Sequence, residues 1–162
     1  MQTFLPYPSF EASAKVLDSV RLNKQIVEAQ QILMVLNGDL NCYKNHPAVT
    51  MWAGHEQSLC FYATVMLNEW RDRRKTKEHK SSRTIFRYLD SFLLEDDNGP
   101  WWLGEEALHL THQSRLMHKG NVDMLKTRFG KRNKQKCKYL IFRKCFAPDL
   151  PKEWYLLLPD RK

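Results

Sequence analysis

Leu22, Ile26, Ala29, Leu33 and Leu36 step by four, three, four and three residues. That spacing puts five apolar side chains on one stripe of an α-helix and demands a partner surface to cover them. Asn37-Gly38 follows as a stop signal. Ahead of the stripe, Pro6 and Pro8 keep the leading arm extended, and Ser9 or Ser13 offers a cap for a short helical turn. A second helix starts at Pro47, entered through Asn45-His46, and carries Val49, Trp52, Leu59, Tyr62, Val65, Met66 and Trp70. A third buries Ile85, Leu89, Phe92 and Leu93 and is closed by Glu95-Asp96-Asp97-Asn98-Gly99-Pro100. A fourth runs over 105–119, with acidic residues in its first turn and Gly120 as its stop. Beyond it, 138–142 and 154–158 read as short strands or buried extended pieces. The expected fold is mainly α: one compact helical domain with a basic, partly irregular C-terminal segment.

At 162 residues such a domain can bury a core without disulfide or metal staples. No apolar run reaches the roughly 18 residues of a membrane span, and the first residues lack the pattern of a signal peptide. Cys42, Cys60, Cys137 and Cys145 form no C-x-x-C pair and read as reduced, partly buried thiols. The chain is expected to be soluble, cytoplasmic and monomeric, with no membrane partner.

The formal charge is +8, and its distribution says more than its total. Residues 71–87 hold eight basic and two acidic side chains. Residues 124–148 hold nine basic and none acidic, interleaved with Phe129, Tyr139, Phe142 and Phe146. The remainder is mildly acidic. Two concentrated basic segments suit a polyanion, and cations mixed with aromatics suit phosphate contact with base stacking. The plainer reading is a pair of solvated helix faces.

On a helical wheel Glu28 falls well away from the apolar stripe, with Arg21 and Lys24 close by and Gln31 one turn on. A carboxylate set among cations and amides suits general acid–base work or electrostatic stabilisation. The competing reading is an ordinary ion pair between Lys24 and Glu28, four residues apart. Arg115 and Lys119 share a face of the fourth helix, with His112 on the same side, and could grip adjacent phosphates. His109-x-x-His112, with His118, His46 or His55 as a third ligand, is the one arrangement suggesting a metal; no H-E-x-x-H motif or cysteine pair completes it, and no metal is expected. Walker loops, G-x-G-x-x-G and G-x-S-x-G are absent from the sequence, so it gives no support to nucleotide hydrolases, dinucleotide enzymes or serine hydrolases.

Taken together and in order, the span from Leu22 to Glu28, Asn45-His46-Pro47, Ala53-Gly54-His55 with Phe61-Tyr62, Glu106-Ala107 and Gln113-Ser114-Arg115-Leu116 through Lys119 resemble the pyrimidine dimer DNA glycosylases with AP-lyase activity, in their bacterial rather than their phage form. The resemblance covers about residues 1–125, and residues 126–162 form an extension that does not align. It implies a compact helical domain acting on duplex DNA without metal or other cofactor. The leading α-amine would attack C1′ of a damaged nucleotide, and the resulting imine would permit β-elimination. Met1 and Glu28 then map onto the catalytic roles. Arg115 and Lys119 map onto the pair that grips the backbone, with Gln113 of the same pattern, Arg21 and Lys24 as further DNA-binding candidates, and Asn45, His46, His55 and His112 onto the lining of the site. Two departures stand out: Gln2 is too bulky for the usual removal of an initiator methionine, which leaves Met1 to supply the amine, and Val27 replaces an arginine, whose charge Arg21 or Lys24 would have to provide. The alternative is a protein on the same scaffold that extracts or modifies a nucleotide without excising it. An RNA-binding module is a third, for which no recognisable motif speaks.

Overall fold

A computed structural model describes residues 2–75, 78–92 and 99–118. Its described residues form six helices and no strand: α1 (Phe10–Val16), α2 (Ser19–Leu36), α3 (Pro47–Trp52), α4 (Glu56–Arg74), α5 (Ser82–Phe92) and α6 (Glu106–His118). The mainly α architecture expected from the periodicity is what the described residues adopt. The basic segment at 124–148 and the extended pieces expected at 138–142 and 154–158 lie outside the described residues. Two compact units emerge, one from residues 2–3 with Ser19–Trp101, the other from Phe4–Asp18 with residues 102–118.

In the first unit, α2 is the central element. Leu22, Ile26, Ala29 and Leu33 are fully buried, and Ile32 joins them. Leu36, expected in the same stripe, is only half-buried at the helix end. There Gly38 takes φ 81°, a left-handed conformation that costs glycine little, and its amide donates to the Val35 carbonyl at 3.1 Å. Helix α2 packs most extensively on α4, and α3 and α5 also touch it. The Tyr62 hydroxyl donates to Gln25 Oε1 at 2.8 Å, which satisfies two polar groups inside the α2–α4 contact.

The helix expected from Pro47 through Trp70 is two helices. Pro47 opens α3, and the His46 ring caps it, Nδ1 accepting from the Ala48 amide at 3.1 Å. Gly54 then takes φ 80° and His55 lies at φ −132°, so the helical ladder cannot continue. Glu56 Oε1 accepts from the Gly54 amide at 3.0 Å and holds the break. Apolar periodicity runs on across it because α3 and α4 both bury residues against α2. Helix α4 ends at Lys75, φ 60°, whose amide donates to the Arg71 carbonyl at 2.8 Å.

Along α5, Ile85 is buried as expected, but Tyr88 is the second core residue, while Leu89 and Phe92 are half-buried. The Tyr88 hydroxyl donates to the Asp39 carboxylate, with Arg87 3.1 Å from the same oxygen. The bonds from Tyr88 and the Asn37 amide hold the Asp39 carboxyl below the usual carboxylate range. Leu93, read as inward, lies outside the described residues.

The second unit pairs the proline-bearing arm and α1 with α6. Ser9 caps α1, its Oγ accepting from the Ala12 amide at 3.1 Å. Ser13, the other candidate cap, is buried within α1 and bonds both backbone groups of Tyr7, accepting from N at 3.1 Å and donating to O at 3.0 Å. Helix α6 buries Leu108, His109, Thr111, His112, Gln113, Ser114 and Leu116. It is polar on its buried side, and the reason lies in what it holds.

Candidate active site

Glu28 sits on α2 with its side chain only 12% exposed. Oε2 accepts from the Gln2 amide at 2.6 Å, and Oε1 lies 3.5 Å from Lys24 Nζ. The i,i+4 ion pair is therefore present, but it engages one oxygen; the other reaches the start of the chain. Lys24 is 68% exposed, so its share of the pair is worth little in stability. One residue on, Trp52 Nε1 donates to Thr3 Oγ1 at 3.0 Å from a fully buried indole. Gln2 and Thr3 are thus tied to α2 and α3, all within the first unit. Gln2 Nε2 is buried with no hydrogen-bond partner among the described residues. An orphaned donor of that kind costs about 1–3 kcal/mol and marks a place where a ligand acceptor would be welcome.

His46 is half-buried at the start of α3. Burial, and secondarily the positive charge of the leading amine, lower its pKa, while the Glu28 carboxylate opposes them. The ring accepts through Nδ1, which together with the lowered pKa makes it neutral near pH 7. Asn45 beside it is exposed; Arg21 and His55 are half-buried and Lys24 exposed, all in the same unit as Glu28.

His112, Gln113 and Arg115 fall in the other unit, on α6. His112 is fully buried, and its Nδ1 accepts from the Leu5 amide at 2.6 Å. His109 Nδ1 donates to the Leu5 carbonyl at 2.7 Å, its tautomer fixed by Nε2 accepting from the Gly104 amide at 3.0 Å. Gln113 Nε2 donates to the Pro6 carbonyl at 2.6 Å. Three side chains of one helix thus satisfy the backbone of Leu5 and Pro6, which has no strand partner among the described residues. The same contacts place His112 and Gln113 inside their unit, bonded to the arm. Burial drives the pKa of His112 down to about 3, with the charges of His109 and Arg115 adding to it, and burial also lowers that of His109. Both nitrogens of His109 and Nδ1 of His112 bond backbone groups, while His112 Nε2 is buried with no hydrogen-bond partner among the described residues; those residues contain no cluster of three metal-ligating side chains. Arg115 is half-buried; Met1 and Lys119 lie outside the described residues.

The first basic segment is partly consumed internally. Arg73 pairs with Glu69 at 2.7 Å, Arg74 stacks 4.6 Å over Trp70 and Arg87 bonds Asp39. Arg71, Lys75, Lys80 and Arg83 are exposed. A cavity of about 370 Å³ opens beside Trp70, Arg71, Lys75, His79 and Phe86; Glu28 does not line it. His79, which donates from Nε2 to Asn23 and accepts at Nδ1 from Ser81, is held neutral there. Cys60 is buried, and its thiol is pushed up to about 12, so it is inert; Cys42 is exposed.

Sequence reading missed Thr3, Trp52 and the His109 role. Nothing in their spacing marks them, because each acts on backbone or side chain far away in the chain. The arrangement at Glu28 is that of a helical protein which brings its own leading segment to a shielded carboxylate. A family model for pyrimidine dimer DNA glycosylase matches residues 1–84, just over half the chain, and the protein belongs to that family. It is thus a member of a family of DNA glycosylases, with DNA as substrate. The matched span contains Gln2, Glu28, the Asn45-His46-Pro47 motif and His55, and ends before α6. Comparison with curated proteins and with solved structures gave no match.

Proposed function

We propose that this protein excises a dimerised pyrimidine from duplex DNA and then cleaves the strand as an AP lyase, with the Met1 α-amine as nucleophile and Glu28 as the assisting carboxylate. The observation that carries the proposal is the 2.6 Å bond from the Gln2 amide to Glu28 Oε2. The amine of residue 1 is three covalent bonds from that amide nitrogen. Standard bond lengths keep it within about 4 Å of that nitrogen, and so within about 7 Å of the carboxylate. A sugar C1′ held near Glu28 is therefore within reach of both groups.

The chemistry follows from those positions. An α-amine of ordinary pKa, roughly 7.7–8.0, keeps about a tenth to a sixth of its population unprotonated at pH 7, enough to supply a nucleophile. It attacks C1′ as the N-glycosidic bond breaks and the base leaves with the bonding pair. The Glu28 carboxylate offsets positive charge building on the sugar. Opening of the sugar ring at O4′ gives an imine; loss of a C2′ proton then expels the 3′ phosphate by β-elimination. Glu28 is the base for that proton. Arg115 and Lys119 hold the phosphates in this reading, and Arg21, Lys24, Asn45, His46 and His55 flank the displaced nucleotide.

Borohydride reduction in the presence of an abasic duplex tests the proposal directly. Peptide mass analysis should find the DNA crosslinked to the N-terminal residue, and acetylation of the amine should abolish the crosslink. Duplex binding with neither crosslink nor cleavage would move the protein to the non-excising alternative.

A further inference from the structure

The turn that leads into α3 contains a residue that neither packing nor the excision chemistry accounts for. Tyr43 stands at φ 66°, one of only two non-glycine residues at positive φ among those described. A left-handed conformation costs a residue with a Cβ about 1–2 kcal/mol. Burial does not compensate, since Tyr43 is 63% exposed. The turn is nevertheless firmly closed: the His46 amide donates to the Tyr43 carbonyl at 2.9 Å, and Pro47 follows with its ring-locked φ. Tyr43 is thereby held one tight turn ahead of His46, whose ring lies in the field of Glu28. Lys44 and Asn45, also exposed, complete the turn. A closed turn that exposes an aromatic ring and a cation, three and two residues ahead of His46, matches a polyanion with stackable faces.

We propose that Tyr43 is a stacking wedge, whose ring enters the base stack of the DNA next to the nucleotide being withdrawn. The proposal rests on the reading of duplex DNA as the substrate at Glu28. Withdrawing a nucleotide costs a few kcal/mol of lost stacking and pairing. An aromatic ring covering the exposed neighbour recovers ~1–3 kcal/mol. The closed turn already fixes the backbone that carries the ring, so only its side-chain torsions remain to be ordered. Tyr43 is then a specificity residue: it favours sites where the stack is already weakened, as at a lesion.

The test uses a duplex with a cyclobutane dimer flanked by 2-aminopurine, whose fluorescence rises on unstacking, and the full-length wild type with Y43F, Y43A and Y43N. Asparagine tolerates the left-handed conformation, so Y43N keeps the turn and removes the ring. Wild type and Y43F should raise the fluorescence severalfold on binding. Y43A and Y43N should give less than half that rise and bind the dimer duplex about tenfold more weakly, with undamaged duplex bound as before. Y43N with wild-type fluorescence and affinity, or a wild type that leaves 2-aminopurine stacked, overturns the wedge. Strand cleavage measured in the same samples separates the two claims. Tyr43-dependent unstacking without cleavage keeps the wedge and removes the excision reading. Cleavage with unstacking indifferent to Tyr43 does the reverse.

Discussion

The Gln2 amide nitrogen lies 2.6 Å from Glu28 Oε2, joining residues 26 positions apart. One bond thereby confines the head of the chain to the neighbourhood of a shielded carboxylate. If Glu28 works as proposed, E28Q should reduce strand cleavage of dimer-containing duplex by about 10²–10⁴-fold. The glutamine carbonyl can still accept from Gln2, so affinity for the same duplex should change by less than about threefold. Gel-based cleavage and anisotropy on one preparation check both, and equal loss of binding and cleavage would assign Glu28 to recognition instead.

Trp52 and Thr3 form the second tether, at 3.0 Å. Thr3→Val removes the acceptor and leaves a buried indole N–H unpaired, at a cost of about 1–3 kcal/mol. Trp52→Phe costs more through lost volume. In a double-mutant cycle by urea denaturation the pair should show a coupling of about 1 kcal/mol; additive effects would show that the bond contributes nothing. Borohydride crosslinking should fall in Thr3→Val if the tether also aims the amine.

His112 makes stability depend on pH in a stated direction. Its folded pKa of about 3 lies below the unfolded value of roughly 6.5, so over that interval the unfolded chain binds the extra proton. Its contribution is therefore complete above about pH 6.5 and lost as pH falls toward 3, at up to about 1.4 kcal/mol per pH unit. His112→Gln should lower stability at pH 7 by about 1–3 kcal/mol yet flatten the acid limb by about one proton. Urea midpoints between pH 7 and pH 4.5 measure both, and a variant as steep as the wild type would exclude His112 as the titrating group.

Gly54 separates α3 from α4 at φ 80°, and an added Cβ there would meet nothing within 4 Å. Gly54→Ala should therefore cost only conformational energy, about 1–2 kcal/mol, seen as a lower urea midpoint with an unchanged slope. A neutral substitution would mean that the turn adapts without glycine.

For phosphate contact, Arg115→Ala should lower the slope of log affinity against log salt by about one and weaken damaged and undamaged duplexes alike. An unchanged slope would confine Arg115 to the packing of α6.

How much of this was legible beforehand depends on whether the deciding interaction is local. Leu22, Ile26, Ala29 and Leu33 announced α2 because burial on one side imposes a period that the chain writes into itself. Gly38 ended it by its own backbone freedom. The α3–α4 break was hidden, since both helices bury apolar residues against α2 and the period survives the interruption. Tyr88 escaped because its hydroxyl needs Asp39, 49 residues away, to make burial tolerable. At the site, the wheel put Glu28 off the apolar stripe and raised Lys24 as its partner, and both are seen in the 3.5 Å pair.

The sequence alone thus determined the helical class, the main elements and which carboxylate stands apart, all set by neighbours within a few turns. Only the tertiary structure decided that Glu28 bonds the Gln2 amide, that Trp52 holds Thr3, and that His109, His112 and Gln113 serve the backbone of Leu5 and Pro6. An extended arm without a strand partner must find its hydrogen bonds wherever folding brings donors and acceptors to it. No local pattern encodes that meeting.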